Sequence, residues 1–156
     1  MSDRVVVDAS LAVKWVLREV HTPEAVYLLT EWEQRRVRRL APTWFLAEVA
    51  NVRYKGVRRQ TVTIPVARLA IRRISQAVIL RPIGPRLAER AIELADLMGQ
   101  PASYEAQYLT LAERVGCEFW TADERLWNSV KTVLPWVRWV GQVTLPATAS
   151  SGQPVT

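Results

Sequence analysis

Three consecutive valines, Val5-Val6-Val7, followed at once by Asp8, constrain this chain more than any other stretch. β-Branched side chains favour extended backbone, and a run of them without alternation reads as a strand covered on both faces. Strands of that kind belong to parallel sheets sandwiched between helices. The run predicts β-structure from Val5 to Asp8, with the carboxylate at the lip of the sheet, where open α/β sheets bind ligands.

The rest of the chain repeats the alternation. Leu11 to Leu17 reads as a short helix. Thr22-Pro23-Glu24 reads as a helix start with a hydroxyl cap and an early proline, followed by Ala25, Leu28, Leu29 and Trp32 at helical spacing. A brief strand at Arg39-Leu40-Ala41 precedes a long helix opened by Pro42-Thr43 and carrying Phe45, Leu46, Val49 and Val52. Thr63-Ile64-Pro65 starts another, with Val66, Leu69, Ala70 and Ile74 on one side. Val78-Ile79-Leu80 predicts a third buried strand. An amphipathic helix over 86–98 ends at Gly99, and Ser103 is placed to cap the next, which ends at Gly116. Cys117 to Trp120 is a fourth strand, and Thr121-Ala122-Asp123-Glu124 has the spacing of a capping box opening a helix to about Val130. Val137 to Val140 is a fifth strand. The expected fold is therefore α/β, a three-layer α/β/α sandwich around a mainly parallel sheet of about five strands. Residues 1–145 form one domain, and the tail from Pro146 has a composition that predicts disorder.

Composition narrows the function. The chain has 156 residues, 49% of them hydrophobic, which suits one domain with a real core. No apolar stretch approaches the ~20 residues of a membrane span, and the N-terminus lacks the pattern of a secretory signal. Cys117 is the only cysteine, so an intramolecular disulfide and a cysteine-based zinc site are excluded. A soluble cytoplasmic protein is expected. The net charge is +6, and arginines gather at Arg35-Arg36-Val37-Arg38-Arg39, at Arg53-Tyr54-Lys55 with Arg58-Arg59, and at Arg72-Arg73. Each cluster alone suits a solvated helix face. Together, around an acidic pocket, they point to nucleic acid.

Four acids stand where they can meet at one lip: Asp8, Glu48, Glu105 and Asp123. Each has a plain structural explanation beside the functional one. Asp8 suits a helix cap as well as an active acid, although Ser10 is an equally good cap. Glu48 lies within Trp44-Phe45-Leu46-Ala47 and Val49-Ala50, and it faces either water or a polar pocket. Glu105 and Asp123 both begin helices, where a negative charge offsets the helix dipole by a few tenths to about 1 kcal/mol. Two strand-end acids plus two helical acids in a basic chain suggest a divalent metal and a phosphate-bearing substrate. His21 and Cys117 read as a surface residue and a core residue. Trp44 and Trp120 lie near the expected pocket, where packing explains them better than stacking on a base.

With these motifs in place, the chain resembles the PIN-domain ribonucleases, particularly VapC-type toxins of toxin–antitoxin pairs, over nearly its whole length from Val5 to about Val140. Val6 to Ser10, continuing to Trp15, is similar to the family's first motif. Pro42 to Asn51, with Glu48, is similar to the second, Ser103 to Leu109 to the third, and Thr121 to Leu126 to the fourth. The third motif usually carries Asp where this chain has Glu105. The extra methylene shifts the carboxylate's reach by ~1.5 Å. The resemblance implies hydrolysis of RNA phosphodiester bonds with Mg²⁺ or Mn²⁺ and catalytic residues Asp8, Glu48, Glu105 and Asp123. Metal ligands would come from Asp8, Glu105 and Asp123, with Ser10 and Thr121 in support. It also implies a homodimer and a cognate antitoxin.

Other readings fit less well. A haloacid-dehalogenase phosphatase needs a second Asp two positions after the first, and Ser10 stands there. A receiver domain needs an acid after the third strand, where Leu80-Arg81-Pro82 has none. A dinucleotide-binding domain needs a glycine-rich loop after the first strand. A non-catalytic or weakly active RNA-binding module accounts for the charge but gives no reason for four acids to converge.

Overall fold

The computed structural model describes residues 2–100 and 102–147. The expectation of a disordered tail falls largely on 148–156, outside the described residues. Five strands form one all-parallel sheet between helical layers: β1 Arg4–Val7, β2 Arg38–Pro42, β3 Ile79–Arg81, β4 Glu118–Thr121 and β5 Val137–Trp139, in the order β3-β2-β1-β4-β5. Among the described residues, seven α-helices connect or flank them: α1 Ala9–Ala12, α2 Thr22–Gln34, α3 Phe45–Arg58, α4 Ile64–Ala77, α5 Pro85–Leu97, α6 Tyr104–Val115 and α7 Glu124–Val130. The expected α/β/α sandwich is the observed architecture. No helix among the described residues is long and apolar enough to cross a membrane.

The three valines are buried as their composition demands, at the centre of the sheet, with Phe119 of β4 beside them. α6 packs over β1, β2 and β4, and its Ala106, Leu109 and Ala112 are fully buried. It stops at Gly116, whose φ of 71° lies in the left-handed region that a residue without Cβ adopts freely.

Several local expectations differ from the structure. The third strand is an edge strand with Ile79 and Arg81 exposed, not a buried one. The predicted helix over 11–17 is one α-helical turn from Ala9, followed by a 3-10 turn at Val13–Trp15. Pro42 ends β2 instead of opening α3. Thr22 does not cap α2. His21 takes that position with a φ of 66°, while the Thr22 hydroxyl donates to the Leu17 carbonyl at 2.7 Å and accepts from the Glu19 N–H at 2.9 Å. Ser103 precedes α6 without a side-chain capping bond.

Strand order fixes where a site can form. After β1 the chain moves outward through β2 to β3, then returns across to β4 on the other side of β1. The order reverses between β1 and β4, and open α/β sheets bind ligands at such a switch, beyond the carboxyl ends of the strands. Asp8 follows β1 directly, and Asp123 lies two residues past β4.

Candidate active site

Parallel pairing aligns Val7 with Trp120, so one step further Asp8 lies beside Thr121. Asp8 is nearly enclosed, at 6% exposure. Its Oδ1 accepts from the Leu11 N–H at 3.0 Å, which makes it the cap of α1, and from the Ser10 hydroxyl at 2.7 Å. Its Oδ2 accepts from the Thr121 hydroxyl at 2.5 Å. Capping and the lip position are therefore held by the same carboxyl, and Ser10 serves Asp8 rather than replacing it as cap. Burial pushes the Asp8 carboxyl up to about 7 against these three bonds, and the negative charge of Glu48 adds to the rise.

Thr121 is fully buried, and its hydroxyl also accepts from the Asp123 N–H at 2.9 Å. The cap of α7 is Asp123, whose Oδ1 accepts from the Leu126 N–H at 3.0 Å. The expected capping box beginning at Thr121 does not form: Asp123 is the cap of α7, and the Thr121 oxygen accepts from the Asp123 N–H instead. The Ser10 hydroxyl accepts from the Ala122 N–H at 3.0 Å. Two hydroxyls and two backbone N–H groups thus tie the ends of β1 and β4 into one network.

Glu48, Glu105 and Asp123 line a cavity of about 730 Å³ together with Trp44, Tyr104 and Arg125. Glu48 comes from the first turn of α3, Glu105 from the first turn of α6, and Asp123 from the start of α7. Asp8 lies behind this wall, within electrostatic reach of Glu48. Glu48 is half-buried, and its Oε2 accepts from the Tyr108 hydroxyl at 2.6 Å. Its carboxyl rises mainly through burial, opposed by that bond. Glu105 also rises, through burial first and then through the charges of Asp123 and Glu48, while Arg125 opposes the rise. Three of the predicted acids share the cavity, and the fourth, Asp8, feels the charge of Glu48. Ser10 and Thr121 support Asp8 as their placement implied.

The acids suit a hard cation in donor chemistry: all are oxygen ligands, burial raises the carboxyls of three of them, and a neighbouring acid's charge adds to the rise of Asp8 and Glu105. Among the described residues, no group of three or more His, Cys, Asp or Glu is spaced as a ready-made chelate. Mg²⁺ commonly binds through one or two carboxylates and keeps several waters, so this donor set fits it without a complete protein cage.

The basic clusters are distributed less simply than their sequence suggests. Arg35 to Arg39 lead into β2 at its amino end, on the edge of the sheet opposite the acids. Arg53 is only 3% exposed, and its Nε and Nη2 have no hydrogen-bond partner among the described residues. Arg125 is the basic residue that lines the cavity among the described residues. Sequence reasoning gave no role to Arg125, Tyr104 or the Tyr108 hydroxyl. The one available signal was helical: Tyr108 follows Glu105 by three positions, close to the same face of α6.

No family model matches the chain, and no curated protein is significantly similar to it.

Proposed function

We propose that this chain is a metal-dependent endoribonuclease of PIN-domain type, the toxin of a toxin–antitoxin pair, acting on RNA in the cytoplasm. One observation carries the reading: four carboxylates from β1, α3, α6 and α7 gather where the strand order reverses. A fold has little reason to crowd acids at one lip unless a cation is to neutralise them.

On this reading Asp8, Glu105 and Asp123 would hold Mg²⁺ or Mn²⁺, in part through water. When bound, the ion supplies a more acidic water and offsets the charge developing at phosphorus. Ser10 and Thr121 keep the Asp8 carboxylate in one orientation. The Tyr108 hydroxyl occupies Oε2 of Glu48, which leaves Oε1 to orient the attacking water and take its proton. No histidine is required. Arg125 faces a substrate rich in phosphate oxygens, which guanidinium binds well. The partners on this reading are RNA, an antitoxin protein and a second copy of the chain. Ile64, Val66 and Leu69, exposed on α4, supply apolar surface for such contacts.

A non-catalytic or weakly active RNA-binding module remains the second reading, favoured by the lack of a preformed three-acid chelate among the described residues. Purified protein incubated with single-stranded and structured RNA, with Mg²⁺, Mn²⁺ or EDTA, separates the two. Nuclease action gives metal-dependent cuts with 5′-phosphate and 3′-hydroxyl ends, and Asp8→Asn abolishes them. Binding without cleavage under every condition supports the second reading.

A further inference from the structure

The cavity lined by Glu48, Glu105 and Asp123 also holds an aromatic ring that stands mostly in water. Tyr104 begins α6 and lies 66% exposed beside the cavity. Its ring stands at 72° to Trp44, with centroids 5.9 Å apart. Trp44 is itself fixed: its Nε1–H donates to Gln107 Oε1 at 2.8 Å, and its ring meets Tyr108 at 4.9 Å and 72°. The platform beneath Tyr104 is therefore rigid before any ligand arrives. An exposed aromatic face held this way contributes little to folding, because most of its apolar area stays in water. Arg125, from the start of α7, lines the same space.

We infer that Tyr104, backed by Trp44, is a base-stacking platform, and that Arg125 anchors a phosphate of the same bound strand. The inference rests on the nuclease reading only in placing a nucleic acid in this cavity. A flat π-face, a guanidinium and acids around one cavity of about 730 Å³ match the three parts of a nucleotide chain: base, phosphate and the phosphodiester to be cut. The base must be unpaired to reach Tyr104, because a stacked duplex hides both of its faces. Tyr104 then decides which nucleotide beside the cut is seated, through stacking strength rather than hydrogen-bond readout.

The test uses the full chain and a short single-stranded RNA carrying one 2-aminopurine, titrated with Ca²⁺ and, separately, with EDTA. The same RNA with an abasic residue at that position is the comparison. Wild-type protein and Tyr104→Phe quench the 2-aminopurine and prefer the intact strand to the abasic one by roughly 5- to 100-fold. Tyr104→Ala loses both the quench and the preference, while its thermal midpoint stays near wild type because the side chain is mostly in water. Arg125→Gln keeps the quench and lowers the slope of log affinity against log salt by about one. Retention of the quench and the preference in Tyr104→Ala overturns the inference, as does absence of binding in both titrations. Cleavage in Mg²⁺, measured in parallel, is independent: quench without cleavage removes the nuclease reading and leaves the platform standing, whereas cleavage without quench does the reverse.

Discussion

The Thr121 hydroxyl lies 2.5 Å from Asp8 Oδ2 and joins the ends of two neighbouring strands 113 residues apart in sequence. That hydroxyl has one proton, given to Asp8, and it accepts from the Asp123 N–H. The Ser10 hydroxyl likewise gives its proton to Asp8 Oδ1. The 3.2 Å contact between the two hydroxyls then has no proton of its own while Asp8 is ionised. Both hydroxyls are thus polarised toward one carboxylate.

Thr121→Val tests this junction with almost no change of shape. It takes the partner from Asp8 Oδ2, on a carboxyl that is nearly enclosed, and from the part-buried Asp123 N–H. The expected cost is about 1–3 kcal/mol, read as a lower urea midpoint with an unchanged slope. A midpoint equal to wild type would mean that water or a rearranged Ser10 replaces the hydroxyl.

The raised carboxyl of Asp8 sets the pH dependence of stability. In the unfolded chain it titrates near 3.8, and in the native protein near 7. Between these values the native state keeps a proton that the unfolded state releases. Stability from this group is therefore complete below about pH 4 and is lost as pH rises through 7. Glu48 and Glu105, also raised, act in the same direction. Asp8→Asn should flatten the fall in urea midpoint between pH 4 and pH 8. Parallel wild-type and mutant profiles would show that Asp8 titrates normally.

Divalent cations should reverse the same penalty. If Mn²⁺ binds at the acids, it stabilises the native state by about 2.7 kcal/mol at a concentration one hundred times its Kd. The stabilisation grows with pH from 5 to 8, because protonated Asp8 is a poor ligand. Calorimetric melts with Mn²⁺ and with EDTA measure it, and Asp8→Asn and Asp123→Asn should each remove most of the shift. An equal shift in both variants and in wild type would place the ion elsewhere.

The parts of this arrangement differ in how legible they were before folding. The valines of β1 and the apolar face of α5 announce themselves, because side-chain periodicity reports burial directly. Strand order does not: Val78-Ile79-Leu80 is as apolar as a central strand, yet pairing with β2 alone leaves Ile79 in water. Caps mislead for a related reason. Thr22 and Thr121 have good cap chemistry, but each oxygen accepts from an N–H outside the helix it was expected to cap, that of Glu19 in one case and that of Asp123 in the other. Asp8, Glu105 and Asp123 were visible because strand ends and helix starts are local features, and Glu48 because its sequence neighbours are apolar. Tyr108 was not, because its bond to Glu48 spans 60 residues and exists only once α6 lies against α3.

Tyr108→Phe isolates that last contact. The ring is buried at 2% exposure and stacked on Phe119, with centroids 5.8 Å apart, and Phe keeps this packing. Only the hydroxyl is lost, and with it the 2.6 Å bond to Glu48 Oε2. That bond holds the Glu48 carboxyl down against burial, so its removal lets the carboxyl rise further. On the nuclease reading, the fraction of Glu48 ready to take a proton then falls at low pH first. The acid limb of the cleavage-rate profile should move upward in pH, while the rate above that limb falls less, because only orientation is then missing. Stability should drop by about 0.5–1.5 kcal/mol. The rate profile is the deciding measurement: an acid limb at the wild-type pH would mean that Glu48 does not handle the proton, and the role would pass to another acid of the cavity.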